Sequence, residues 1–123
     1  MIAIGKNIDG EKVEFKISNN TVYCFNNQLS ELDLPNGVER VYCFNNQLTE
    51  LDLPDSVIYV NCANNQLTEL VLPNSVKEVY CYNNNLKEIT LPKSIKYAIL
   101  PLNCNVLNVD EFKNRTDITI RFV

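Results

Sequence analysis

A 19-residue repeat constrains this chain more than any other feature of its sequence. Residues 41–59 read VYCFNNQLTELDLPDSVIY, and nearly the same string occupies residues 22–40, 60–78 and 79–97. A sustained period of this length indicates a repeat architecture, in which each unit buries its apolar side only against its neighbours. We therefore predict a solenoid rather than a globule around one central core.

The apolar positions within each repeat follow a family-specific spacing. In the second full copy, positions 1, 4, 6, 9 and 11 are Val38, Val41, Cys43, Asn46 and Leu48. This spacing resembles the L-x-x-L-x-L-x-x-N-x-L pattern of leucine-rich repeats, with Cys in the third apolar place, over roughly residues 19–105. The short L-x-x-L-x-L-P segment that follows is similar to repeats of bacterial effector proteins and to asparagine-rich repeats from large DNA viruses and bacteria.

The resemblance implies a parallel β-sheet on the concave side of the solenoid. Every return segment is short and carries a proline, at Pro35, Pro54, Pro73 and Pro92. Because proline removes a backbone donor and disrupts a helix interior, we expect an extended or polyproline-like convex side. Residues 21–97 would form four repeats, and residues 98–123 a degenerate fifth repeat with a C-terminal cap.

The two ends depart from the repeat and are predicted to cover the stack. Residues 1–20 contain two alternating apolar segments separated by Asp9-Gly10, which is a strong hairpin-turn signal. Near the C-terminus, VDEFKNR is compatible with a short helix, and Ile118, Ile120 and Phe122 alternate as in a closing strand. We predict an N-terminal hairpin cap and a C-terminal cap of strand and short helix.

Asparagines at position 9 are predicted to form a structural ladder inside the turn after each strand. Their amides can bond backbone groups that the bend leaves unpaired. The column comprises Asn27, Asn46, Asn65, Asn84 and Asn103.

Cysteines at position 6 are predicted to point inward from consecutive strands, as Cys24, Cys43, Cys62 and Cys81. Parallel Cβ vectors are poor geometry for disulfides, and a free thiol among Val and Leu behaves as a small hydrophobe. We interpret the column as core, with a redox or metal role as the alternative. Reduced thiols favour an intracellular setting, and the off-register Cys104 is predicted to be the accessible one.

Aromatic residues at the outward positions of the strands carry the strongest functional signal. They are Tyr23, Phe25, Tyr42, Phe44, Tyr59, Tyr80, Tyr82 and Tyr97, with Asn26, Asn45, Asn64 and Asn83 beside them at position 8. An exposed apolar patch of this kind usually marks an interaction site, and Tyr and Phe are favoured at interfaces. We predict a partner-binding face, with self-association through the same face, stacking alone, and glycan binding as alternatives.

Acidic residues repeat on the opposite edge. Position 13 is glutamate in four copies, and Asp follows two residues later in the first two; the set is Glu31, Glu50, Glu69, Glu88, Asp33 and Asp52. A solvated, solubilising face is the preferred interpretation. A basic partner or weak calcium binding is the alternative.

Composition excludes several function classes. The chain has no histidine, which removes the commonest general base and the commonest zinc ligand. The net charge of −4 argues against nucleic acid, and no apolar run is long enough for a signal peptide or a membrane span. We predict a non-enzymatic, intracellular protein–protein interaction module that needs no cofactor or metal. A self-assembling structural protein, or a carbohydrate or small-ligand binder, is the alternative.

Overall fold

A computed structural model describes residues 1–123 and shows a β-solenoid of about five coils with almost no helix. The elements in chain order are β1 (Ile2–Asn7), β2 (Lys12–Lys16), β3 (Thr21–Tyr23), β4 (Leu29–Asp33), β5 (Arg40–Tyr42), β6 (Tyr59–Asn61), β7 (Glu78–Tyr80), β8 (Glu88–Ile89), β9 (Tyr97–Leu100), β10 (Asn105–Val106), a 3-10 helix (Val109–Phe112) and β11 (Thr119–Phe122). The predicted repeat solenoid is confirmed. We number the coils 1 to 5 and count positions from residues 19, 38, 57, 76 and 95.

The main sheet contains six parallel strands in the order β11-β9-β7-β6-β5-β3. Val22 pairs with Val41, Val41 with Val60, and Val60 with Val79, so each strand lies in register with the residue 19 positions away. Since side chains alternate across a strand, every column of the repeat lies on one face of the sheet. The inward columns build the core, and the outward columns build a continuous surface.

One contiguous core runs through all the coils. Position 1 of coils 2 to 5 and the inward strand positions of every coil are fully buried, as in Val38, Val41 and Cys43 of coil 2. Leu48 and Leu51 are buried as well, whereas Leu53, which was also expected to face inward, is only half-buried at the edge of the core. Because each coil covers the next, none of these side chains would be buried in an isolated repeat.

The N-terminal hairpin forms as predicted, but it does not extend the main sheet. β1 and β2 pair antiparallel around a turn in which Gly10 has a φ of 82°. β1 then pairs antiparallel with β4 in the return segment of coil 1. Gly5 allows this close approach, because a Cβ there would lie 2.8 Å from Leu29 Cδ2. The hairpin therefore covers coil 1 from the side opposite the main sheet.

The C-terminal cap contains the predicted closing strand and short helix. β11 pairs parallel with β9, and the helix is a single 3-10 turn whose Phe112 is buried. Arg115 links this cap to coil 4 by donating from Nη1 to the Lys93 carbonyl at 2.8 Å, and it pairs with Asp117 at 3.0 Å. The Arg115 guanidinium also lies 5.4 Å from the centre of the Phe112 ring.

The return segments contain no helix, as the prolines predict, and two of the four do not form a sheet. β4 pairs with β1, and β8 pairs with β10. Between them, the backbone groups of residues 49–53 and 68–72 make no intramolecular hydrogen bond. The coils are therefore joined by backbone pairing on the main-sheet side, and on the other side mainly at the two ends of the stack.

Candidate binding surface

Tyrosine rings form one continuous ladder across the outward face of the main sheet. The ring centres of Tyr23 and Tyr42 are 4.9 Å apart, as are those of Tyr42 and Tyr59. The ladder continues at 5.5 Å to Tyr80 and at 5.6 Å to Tyr97, while the angle between ring planes grows from 16° to 57°. The structure thus brings five of the predicted aromatic residues into direct contact.

A second aromatic column stands beside this ladder at position 7. Phe25 and Phe44 stack with ring centres 4.6 Å apart and planes only 5° from parallel. Ala63 interrupts the column in coil 3, and Tyr82 follows in coil 4. Ala63 is itself buried, so the interruption does not leave an open slot in the surface.

Exposure is concentrated at the N-terminal end of the two columns. Tyr23 is 62% exposed and Phe25 is 37% exposed, whereas the aromatic residues of the later coils are half-buried. The difference follows from position in the stack, because Tyr42 has a ring against each side whereas Tyr23 and Phe25 each stack on one ring only. The outer faces of Tyr23 and Phe25 are therefore free aromatic surface.

Two phenols of the ladder, those of Tyr59 and Tyr80, have raised pKa values. Burial and the hydrogen bond that the Tyr80 hydroxyl donates to the Glu78 carboxylate at 3.1 Å together raise the pKa of Tyr80 to about 12. Burial also raises the pKa of Tyr59, and the neighbouring Tyr42 adds to the effect. Arg40 places its guanidinium 5.9 Å from the Tyr59 ring centre. The face therefore combines aromatic rings with the charged side chains of Arg40 and Glu78.

The asparagines at position 8 have a backbone role that the repeat pattern did not reveal. Asn26, Asn45 and Asn64 each have a φ of 57°, and Asn83 has a φ of 55°. Asparagine tolerates this left-handed conformation better than other non-glycine residues, and the conformation bends the chain after each strand. The bend accounts for asparagine here without any partner, so partner contact by these residues remains a prediction.

The asparagines at position 9 form the predicted ladder in its central coils. Asn46 Oδ1 accepts the N–H groups of Asn27 and Leu29, each at 3.0 Å. Its Nδ2 donates to the carbonyls of Cys24 and Cys43, each at 3.0 Å. One buried amide thus joins two successive coils and satisfies their bend.

The ladder is shorter than the sequence suggests. Asn65 and Asn84 each bond the preceding coil and their own coil in the same way. Asn27 has no coil before it and only donates to the Phe25 carbonyl, while the exposed Asn103 makes no side-chain hydrogen bond. The prediction fails for Asn103 because coil 5 departs from the repeat after β9.

The four cysteines of the column are free and fully buried, as predicted. Burial raises the pKa of Cys24 and Cys62 to about 12, and it raises the pKa of Cys43 and Cys81 well above the ordinary value. Cys104 was expected to be accessible, but only 6% of it is exposed, because its side chain joins the core beneath the C-terminal cap. No group of three or more metal-ligating side chains is arranged to hold an ion.

A serine ladder, which was not predicted, joins the turns after the prolines. Each serine ends its coil, and its Oγ donates to the position 1 carbonyl at the start of the same coil: Ser56 to Val38 at 2.6 Å, Ser75 to Val57 at 2.6 Å, and Ser94 to Val76 at 2.7 Å. Arg115 Nη2 takes the equivalent place on Ile95 at 3.4 Å. The sequence did contain a signal for this ladder, because serine recurs immediately before position 1 in three copies, whereas coil 1 ends in Gly37.

Comparison with known proteins adds no relative from which a function could be transferred. No protein-family model matches the chain, and no curated protein matches it. No helix is long and apolar enough to cross a membrane. The function must be inferred from the surfaces of the chain itself.

Proposed function

We propose that this chain is a non-enzymatic binding module of the leucine-rich-repeat type, whose aromatic sheet face engages a protein partner. The observation that carries the proposal is the N-terminal end of the two aromatic columns, where Tyr23 and Phe25 are exposed and each stacks on only one other ring. Rigid aromatic side chains supply a large contact area at a small cost in conformational entropy. The stacked rings behind them hold both side chains in place before a partner arrives.

The shape of this face favours a protein over a small ligand. Three clefts of the chain are lined by residues of the return segments and the caps, and none of these three is lined by the ladder. Small-molecule sites are concave and enclose most of their ligand. A flat row of rings instead suits an interface with an apolar centre and a polar rim.

The proposal includes an intracellular setting and no catalysis. A chain without histidine lacks the side chain that most often acts as a general base. Five free cysteines are compatible with a reducing compartment. The resemblance to bacterial effector repeats belongs to the proposal as well, and it suggests a partner among host proteins.

Affinity capture from a cell lysate tests the proposed face. The variant Tyr23→Ser/Phe25→Ser removes only the uncovered rings at the end of the two aromatic columns, so the aromatic rings of the later coils keep their remaining contacts. Val71→Ser is the matched control, since Val71 is 80% exposed on a return segment. We expect the double variant to lose proteins that the control and the wild type retain, with unchanged circular dichroism. Equal capture by all three proteins contradicts the proposal.

Self-association is a second candidate function, which the C-terminal edge of the main sheet favours. β11 is an edge strand with no neighbour on one side, and Phe122 and Val123 at its end are exposed. Edge strands readily pair with other chains. At the opposite edge of the main sheet, the backbone of Ser18 already pairs with that of Thr21 in β3, so this edge is partly occupied. Sedimentation over a wide concentration range tests this candidate, and a monomer throughout eliminates it.

A further inference from the structure

The last strand of the main sheet leaves the core partly open at its C-terminal end. Ile120 pairs with Ala98 and Phe122 pairs with Leu100, so both side chains of β11 continue the inward columns of coil 5. Ala98 and Leu100 are fully buried, whereas Ile120 is only half-buried and 43% of Phe122 is exposed. The terminal units of soluble solenoids need a polar outer face. The strand β11 instead presents apolar side chains at the end of the stack.

The backbone of β11 is paired along one side only. The strand pairs with β9 alone, and the Thr119 N–H donates to the Lys96 carbonyl at 2.9 Å. Successive residues of a strand direct their N–H and C=O groups to opposite edges. The backbone groups of Ile120 and Phe122 therefore point away from β9, toward an edge where the sheet has no further strand. These groups are available to a strand from another chain.

The N-terminal edge of the same sheet is already occupied. Ser18 and Thr21 exchange two backbone hydrogen bonds beside β3, at 3.0 Å and 3.1 Å. Ala3 and Ile17 of the N-terminal segment are buried in the core at this end. An incoming β11 would have to displace Ser18 before it could extend the solenoid here. The arrangement that avoids this displacement joins two C-terminal edges, which is the isologous contact of a two-fold dimer.

The sequence of β11 is self-complementary in one antiparallel register. With a two-fold axis at Ile120, this residue lies opposite Ile120 of the second copy, and Ile118 lies opposite Phe122 of the second copy. These apolar side chains lie on the core face, while on the outward face Arg121 lies opposite Thr119 of the second copy. Because Ile120 directs its N–H and C=O groups to the free edge, the two copies exchange both hydrogen bonds across the axis.

The neighbouring registers are less favourable. An axis one residue later, at Arg121, places two guanidinium groups opposite each other, and like charges in that position destabilise a sheet. An axis one residue earlier, at Thr119, requires Thr116 and Asp117 to pair with the second copy, but the chain bends at both residues. The register centred on Ile120 is therefore the one that pairs residues 118–122 without a charge conflict.

We propose that the C-terminal edge of the main sheet binds a second copy of this chain, with the two β11 strands antiparallel about Ile120. Six strands from each copy then form one continuous sheet, and the side chains of Ile118, Ile120 and Phe122 join the two cores. The proposal rests on self-association, the second candidate function, and it assigns the surface and the register. The tyrosine ladder on the outward face stays free in such a dimer, so the aromatic partner face does not depend on it.

Sedimentation velocity of the full chain from about 1 μM to about 1 mM measures the dimer. Ile120→Pro removes an N–H group that faces the free edge and takes no part in pairing with β9, so the ladder within the chain is kept. Ile120→Ala is the matched control, because it shortens the same side chain but keeps the N–H group. We expect Ile120→Pro to dimerise about tenfold or more weakly than Ile120→Ala, with unchanged circular dichroism.

Cross-linking tests the register and does not depend on whether the proline variant folds. Ile120→Cys places two thiols opposite each other at the axis, with Cα atoms about 5.5 Å apart, which is within the range of a disulfide. Arg121→Cys is the control, since its two thiols are offset along the strands. With diamide as the oxidant, we expect a covalent dimer from Ile120→Cys and little from Arg121→Cys, because the five native thiols are buried.

The outcomes separate this edge from self-association in general. A monomer at every concentration overturns the proposal and eliminates self-association with it. A dimer that forms equally well from Ile120→Pro and Ile120→Ala, or one that Ile120→Cys does not cross-link, overturns this edge and leaves self-association through another surface. Preferential cross-linking of Arg121→Cys overturns the register.

Discussion

The buried cysteine column should make this chain unfold in mild alkali. Burial raises the pKa of Cys24 and Cys62 from 9.0 to about 12 and raises that of Cys43 and Cys81 well above the ordinary value. In the folded chain the thiols stay protonated, whereas in the unfolded chain they ionise above pH 9. Because the unfolded state then binds fewer protons, the free energy of unfolding falls as pH rises above 9.

The magnitude follows from the number of thiols. Each fully buried thiol costs about 1.4 kcal/mol of stability at pH 10, and four cost about 6 kcal/mol. Domains have only about 5–15 kcal/mol of stability in total. The chain should therefore lose a large part of its stability by pH 10 and unfold shortly above it, while stability between pH 7 and 8 stays nearly constant.

Urea denaturation at pH 8, 9 and 10, followed by far-ultraviolet circular dichroism, measures this loss. The variant Cys62→Ala provides the control, since it has one thiol fewer and should lose about 1.4 kcal/mol less between pH 8 and 10. Measurements stop at pH 10 so that tyrosine and lysine ionisation contribute little. The reasoning is refuted if the free energy of unfolding does not change over this range, or if Cys62→Ala loses as much as the wild type.

Three further predictions test the ladders, the cap and the core. Asn65→Ala should lower the free energy of unfolding by about 2–5 kcal/mol, because it strands buried N–H and C=O groups of two coils, whereas Asn103→Ala should change it little; chemical denaturation measures both. All five thiols, including Cys104, should resist a thiol reagent until the chain unfolds, and rapid labelling of one thiol in the native state would contradict its burial. Gly5→Ala should cost about 1–3 kcal/mol through overlap with Leu29, and an unchanged thermal midpoint would show that the hairpin packs differently.

The repeat made most of the solenoid predictable from the sequence. A period of 19 residues with valine and cysteine at fixed positions specifies which residues face inward, and in-register pairing of Val41 with Val60 follows once the strands are parallel. The aromatic face is a consequence of the same register. The hairpin was also predictable, because Asp9-Gly10 is a local signal whose effect does not depend on the rest of the chain.

Features that depend on contacts between distant segments could not be read from the sequence. No local pattern indicates that β1 pairs with β4 instead of β3, since that choice depends on which edge of coil 1 is free after the chain turns at Ser18. The burial of Cys104 depends in the same way on where the cap packs. The left-handed bend at Asn45 was encoded locally, but an Asn-Asn pair does not show which of its residues turns the chain.

The sequence alone therefore determined the period, the inward and outward columns and the extended return segments, because these follow from residue size, polarity and the alternation of a strand. The tertiary structure decided how each end is covered, which aromatic rings remain uncovered and which return segments lack a strand. The physical reason is that the repeated sequence of a single coil specifies which residues form a column. The exposure of each residue in that column depends instead on what packs against its own coil. Tyr23 and Tyr42 occupy the same position of the repeat, yet only Tyr23 has no ring stacked on its outer side.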